Sequence, residues 1–243
     1  ATISANNIVA TGVASATVSG YVVQVNALTI NSGSAGGDIT ITATGASAGG
    51  GNGLYQSGTV TGANGSDITF TSNNAISQNG AVSLAANTNG SAATLLYDTT
   101  SGNKLSTITS GTVTIGAGSS SDINFIMKSA GSAINPGAIG TSSLRLPGTV
   151  TLDNTYGGSS PASGFITTSN LVTYATTSVG VTINNAIYST KLISVKGISY
   201  TAQGINYSVA INASTAGVEL TGTTSNNYGI YTGNASLITA NYI

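Results

Sequence analysis

The chain has 243 residues, a formal net charge of −1 and only 5% charged residues, against about 25% in an ordinary soluble domain. One Glu, four Lys and one Arg cannot dress the outside of amphipathic helices, and the near-neutral charge gives no electrostatic basis for binding nucleic acid. The absence of Cys and His removes most transition-metal sites, and no apolar run reaches the roughly 18–20 residues of a membrane-spanning helix.

The predicted elements are short strands, written in the period-two alternation that sends every second side chain to the core. In chain order they are Ile39-Thr40-Ile41, Ile68-Thr69-Phe70, Val82-Ser83-Leu84, Val113-Thr114-Ile115 and Ile123-Asn124-Phe125. Leu144-Arg145-Leu146, Val150-Thr151-Leu152, Val181-Thr182-Ile183, Val209-Ala210-Ile211 and Val218-Glu219-Leu220 continue the series. Arg145 and Glu219 sit in the middle slot, which marks that slot as the solvent side. Between strands lie Asn31-Ser32-Gly33-Ser34, 49–53, Asn64-Gly65-Ser66, Asn87-Thr88-Asn89-Gly90, Gly118-Ser119-Ser120 and Gly157-Gly158. Gly there supplies positive φ, and Asn and Ser bond their own backbone, so these are turns.

The strands repeat as phrases. Gly37-Asp38-Ile39-Thr40-Ile41, Ser66-Asp67-Ile68-Thr69-Phe70 and Ser121-Asp122-Ile123-Asn124-Phe125 are one. Gly58-Thr59-Val60-Thr61, Gly111-Thr112-Val113-Thr114 and Gly148-Thr149-Val150-Thr151 are another. The pair recurs after 53 residues (58 to 111) and 55 (66 to 121), a distance that fits two or three coils of a stacked array. The expected fold is all-β: a right-handed parallel β-helix, or β-solenoid, uncapped and continuous over 1–243. Coils of roughly 18–30 residues would number about 8 to 13 and build a rod about 40–60 Å long. From about 151 to 243 the pattern is less regular and richer in Tyr: eight of the eleven lie after position 150. Tyr is a good strand residue; a sugar- or partner-contacting face is the sharper alternative.

The phrasing resembles the filamentous haemagglutinin family, large bacterial adhesins exported by two-partner secretion. The segments that carry the resemblance are 37–43 (Gly-Asp-Ile-Thr-Ile-Thr-Ala), 74–84 and 217–222 (Gly-Val-Glu-Leu-Thr-Gly). It implies a right-handed parallel β-helix shaft, displayed or shed at a Gram-negative surface, with adhesive or filament-forming roles; host or cell-surface glycans are a further candidate partner. The Asn-Pro-Asn-Gly signature of that family's secretion domain has only Asn135-Pro136-Gly137 as a counterpart here, which points to shaft rather than export domain.

Chemistry is sparse. With no His there is no Ser–His triad, and a Ser–Lys pair at Lys104, Lys128, Lys191 or Lys196 is only a formal option. No catalytic or cofactor-binding residue is assigned and no enzyme activity is expected. The acids are mostly isolated along the sequence. Asp38, Asp67 and Asp122 each precede the Ile of the first phrase, so stacked coils would align them into an acidic ladder able to hold Ca²⁺; the plainer reading is Asp opening a strand. Thr40, Thr42 and Thr44 suggest an ice-binding Thr row, which Asn124, Arg145 and Glu219 interrupt. The expected function is structural: an extracellular fibre or adhesin shaft whose partner is itself, through flanking repeats or head-to-tail copies. The alternatives are an S-layer or strand-donating subunit with 1–12 as donor, a phage-type tail fibre, and, last, a carbohydrate-active enzyme.

Overall fold

The computed structural model describes residues 2–15, 20–31, 36–45, 52–101, 107–129, 133–155, 179–199, 202–224, 227–233 and 237–243. Among these there is no helix. Every strand pairing is parallel, and each strand pairs with a strand about one coil away, as a β-solenoid requires.

Three faces wind around one core. Face 1 carries β1 (Thr2–Ala5), β4 (Ala27–Ile30), β7 (Val60–Gly62), β10 (Val82–Leu84) and β13 (Val113–Ile115), then β18 (Ile187–Ser189), β21 (Ala210–Ala213) and β24 (Leu237–Thr239). Face 2 carries β2 (Ile8–Ala14), β5 (Ile39–Gly45), β8 (Ile68–Ser72), β11 (Ala93–Thr99), β14 (Ile123–Ser129), β16 (Val150–Asp153), β19 (Ile193–Ser199) and β22 (Val218–Thr224). Face 3 carries β3 (Val23–Val25), β6 (Asn52–Gln56), β9 (Ala75–Gln78), β12 (Thr107–Thr109), β15 (Ala133–Asn135), β17 (Val181–Ile183), β20 (Ile205–Tyr207) and β23 (Ile230–Thr232).

The paired register fixes the coil length. Ile8, Ile39, Ile68, Leu95, Phe125, Val150, Ile193 and Val218 form one column on face 2. Successive differences are 31, 29, 27, 30, 25, 43 and 25 residues. Eight strands give seven steps, or about 34 Å at ~4.8 Å per layer. The rod is therefore shorter than the sequence pattern suggests, because every step, at 25 residues or more, lies in the upper half of the expected length or beyond it. The repeated phrases do sit two coils apart, on β7 and β13 and on β8 and β14.

The core is a set of stacked apolar columns. Ile3, Leu28, Val60, Val82, Val113, Ile139, Ile187, Ile211 and Ile238 run up face 1. Val23, Leu54, Ile76, Ile108, Ile134, Val181, Ile205 and Ile230 run up face 3. Mid-rod members of these columns are fully buried. A second face 2 column stacks Phe70 on Tyr97 with centroids 5.2 Å apart, and Tyr97 meets Phe125 at 5.7 Å.

Two predicted features take other forms. Leu144-Arg145-Leu146 is not a strand: Ile139 already fills the face 1 slot between Val113 and Ile187, and the chain then loops out before Leu146 bridges Ser189. Gly140, with φ of 63°, starts that excursion, and Thr141 closes it, its N–H donating to the Leu144 carbonyl at 2.9 Å while its Oγ1 accepts the Leu144 N–H at 2.9 Å. The glycine run at 49–53 extends into β6, so Gly53 is strand, pressed against Ser72 and Ala75 of the next layer.

Candidate functional site

The corner between faces 1 and 2 holds the predicted Asp residues, and their role there is to carry hydrogen bonds from layer to layer. Asn7 Oδ1 accepts the backbone N–H of Asp38 at 2.8 Å. Asp38 Oδ1 accepts that of Asp67 at 2.9 Å, and Asp67 Oδ1 that of Thr94 at 2.6 Å. Three layers of N–H groups at this exposed turn are thus satisfied by the side chain below. Higher in the same column Asn124 Oδ1 accepts both the N–H and the Oγ1–H of Thr149, at 3.0 and 2.9 Å.

Asp122 does not join this column, which corrects the expected three-rung ladder. Ile68 pairs with Leu95, whereas Ile123 pairs with Ala93, so the third copy of the phrase is displaced by two residues along the strand. A two-residue slip leaves every side chain on its proper face, so the pattern alone does not forbid it. Asp122 instead accepts Lys191 Nζ at 2.5 Å. Among the described residues no three acids, His or Cys converge on one point. Asp67 is pushed above the usual carboxylate range by burial, with the neighbouring Asp38 charge adding to this and the Thr94 hydrogen bond opposing it.

The remaining acids are less isolated than their sequence spacing suggests. Asp98, Lys128, Asp153 and Lys196 form one column across face 2, alternating in sign. Lys128 Nζ lies 3.0 Å from Asp98, and Lys196 Nζ 3.8 Å from Asp153. Both aspartates use the other oxygen identically: Asp98 Oδ1 accepts the N–H and hydroxyl of Thr100, and Asp153 Oδ1 those of Thr155. Burial would raise Asp98, but the Thr100 hydrogen bonds and the Lys128 charge outweigh it and hold its carboxyl below the ordinary range. The partners are 30 and 43 residues apart (98 to 128, 153 to 196), so only the coil register reveals them. Lys128, Lys191 and Lys196 are thereby ion-paired, and Lys104 lies outside the described residues.

Other singled-out residues fall as follows. Arg145 crosses two layers, lying 5.5 Å from the Tyr188 ring centroid and donating to Asn212 Oδ1 at 2.5 Å. Thr40 stacks on Thr69 in an outward column that begins at Val9 and continues through Leu96 and Ile126, so the Thr row spans only a few layers. Asn135 ends β15 and Pro136 follows it. Among the tyrosines after 150, Tyr207 is buried, while Tyr228, Tyr231 and Tyr242 are exposed.

Those exposed tyrosines belong to a larger feature that sequence reasoning did not single out. Among the described residues every exposed large apolar side chain sits on the first or last coil: Ile3, Val9 and Val13 at one end; Tyr228, Ile230, Tyr231, Leu237, Tyr242 and Ile243 at the other. Three of them stand in core columns. Ile3 is 45% exposed and its neighbour Leu28 0%; Ile230 is 40% exposed and Ile205 0%; Ile243 is 80% exposed and Val218 0%. The strands of these coils, β1, β2 and β3 at one end and β23 and β24 at the other, each leave one edge without a partner strand, and β22 is met on its outer edge only at its start, where the Val218 N–H donates to the Tyr242 carbonyl at 3.1 Å.

The fold and these open ends define the class as a β-solenoid rod with exposed terminal coils. Compared with known proteins, the chain matches no family model, no curated protein and no solved structure.

Proposed function

We propose that this chain is a structural, non-catalytic β-solenoid that builds a fibre by stacking coil on coil through its ends. The observation that carries the reading is the confinement, among the described residues, of exposed large apolar side chains to the terminal coils, whose strands also present open edges. An edge strand with unpaired N–H and C=O groups is a template for another strand, and a further layer would bury Ile3, Ile230 and Ile243 as their column neighbours are buried. The ion pairs described above bind layers together rather than converging on a substrate. A bacterial-surface shaft, the setting that the family resemblance implies, is the biological form this proposal takes, with surface glycans as a candidate partner.

The test is sedimentation velocity over a concentration series, with electron microscopy of the concentrated sample. Linear oligomers one rod wide are expected. Ile230→Lys, which puts a charge in an end-facing core column, is expected to abolish them while leaving the far-UV spectrum unchanged. A chain that stays monomeric at millimolar concentration would overturn the reading.

A further inference from the structure

The two ends are not only exposed; they claim the same seat. Ile3-Ser4-Ala5-Asn6-Asn7-Ile8 and Ile238-Thr239-Ala240-Asn241-Tyr242-Ile243 share Ile, Ala, Asn and Ile at matching places, with Ser against Thr at the second. The structure gives them equivalent positions. Ile3 and Ile238 stand in the same inward column of face 1. Tyr242 bridges Gly217, which places Ile243 above Val218 in the column that Ile8 opens. Both segments cross from the inward slot of face 1 to that of face 2 in five residues (3 to 8, 238 to 243). Other layers take six (187 to 193), seven (211 to 218), eight (60 to 68) or more.

The face 2 strands nearest the two ends match as well. β2 (Ile-Val-Ala-Thr-Gly-Val-Ala) and β22 (Val-Glu-Leu-Thr-Gly-Thr-Thr) are both seven residues long, with the same burial alternation and Thr-Gly at the same place. Gly12 and Gly222 both lie flush against the start of the face 3 strand that follows, where a Cβ would overlap Val23 or, one residue ahead of β23, the Gly229 carbonyl. A second copy laid with its β2 on β22 and its β3 on β23 therefore continues the inward columns, Ile8 above Val218 and Val23 above Ile230, in parallel register.

That arrangement meets one obstacle. Face 1 has nine levels in its column whereas faces 2 and 3 have eight strands each. The ninth level is β24, and it occupies the seat that the second copy's β1 needs. We propose that copies of this chain join by strand exchange at this seat: 237–243 of one copy and 2–8 of the next are interchangeable, and one of the two is released at each junction. The inference rests on the end-to-end reading above and adds a built-in brake to it, because a seam forms only when a paired segment gives way.

Sedimentation velocity on four chains tests this: the full chain, one lacking 237–243, one lacking 2–7, and one lacking both. Either single deletion is expected to lower the concentration for association at least about tenfold, roughly 1.4 kcal/mol. The double deletion, with the seat empty, is expected to associate more weakly than either single one. Ile238→Asn, which unseats the segment without shortening the chain, should act like the first deletion and serves if that deletion does not fold. If the full chain associates and the single deletions and Ile238→Asn do so no more readily, the seat is overturned while end-to-end stacking stands. If none of the chains associates, the stacking reading fails with it.

Discussion

Asp67 and Asp98 show how much a single carboxylate's place in the stack decides. Asp98 has a folded pKa below its ordinary value, so the stability it contributes is present above about pH 4 and is lost as pH falls through that folded value. Asp67 has a raised pKa, so the sign reverses: its contribution is full below the ordinary carboxylate value and is lost as pH rises through the folded one. Asp67→Asn keeps the Oδ1 acceptor for Thr94 and removes the charge facing Asp38. It is expected to raise the melting temperature at pH 7, by at most about 1 kcal/mol in stability given solvent screening, and to leave it unchanged at pH 2. Asp98→Asn should lower the melting temperature at pH 7 and flatten its fall on acidification. Melting curves from pH 2 to 8 check both.

Glycine acts at the same scale. Gly58, Gly80, Gly111 and Gly137 stack at the corner between faces 3 and 1, each beneath the next, so that a Cβ on any of the upper three would overlap the carbonyl oxygen below. This is why two copies of the phrase Gly-Thr-Val-Thr open with Gly; the third, at Gly148, sits before face 2, where a Cβ would overlap the Ile123 carbonyl. Gly111→Ala is expected to cost about 2–3 kcal/mol in a denaturant melt, whereas Gly90→Ala, with open space around it but a φ of 86°, should cost about 1 kcal/mol.

The strand is the level at which the sequence was most readable. Val82–Leu84, Val113–Ile115 and Val181–Ile183 match their predicted bounds, because apolar–polar alternation is the direct imprint of a pleated, half-buried strand. Face 3 was largely missed: Thr107–Thr109 and Ala133–Asn135 contain one inward apolar residue each, too little to register as alternation. Leu144–Leu146 misled because alternation says nothing of whether the slot in that layer is already taken, here by Ile139. The shared column of Asp38 and Asp67 was legible and the displacement of Asp122 from it was not, since a two-residue slip preserves the pattern. Buried polar pairing was not legible at all. Gln56 and Gln78 are fully buried inward residues of β6 and β9. Gln78 Nε2 donates to Gln56 Oε1 at 2.8 Å, and its own Oε1 accepts the Tyr97 hydroxyl at 2.9 Å and the Gly111 N–H at 2.7 Å. Burial holds that phenol protonated well above its ordinary range. Because Gly111 still serves Gln78, Tyr97→Phe is expected to cost only about 1 kcal/mol, while Ile108→Ala, in the middle of the face 3 column, should cost about 3–4 kcal/mol.

At the scale of the whole molecule, coil length was hidden by its own variability, from 25 to 43 residues per step. The cross-layer ion pairs were hidden with it. What the assembled rod adds is a contrast between its sides and its ends. Among the described residues of the middle layers, each layer meets the next through columns of Ile, Leu and Val and through Asx and Lys–Asp contacts; on the first and last coils members of the same columns are exposed. The central claim is that this contrast drives linear growth. Diffraction from an aligned, concentrated sample tests it most directly. A meridional reflection near ~4.8 Å is expected, from strands lying across the long axis of particles one rod wide that lengthen with concentration. Particles of fixed single-chain length at every concentration, or strands running along the particle axis, would contradict it.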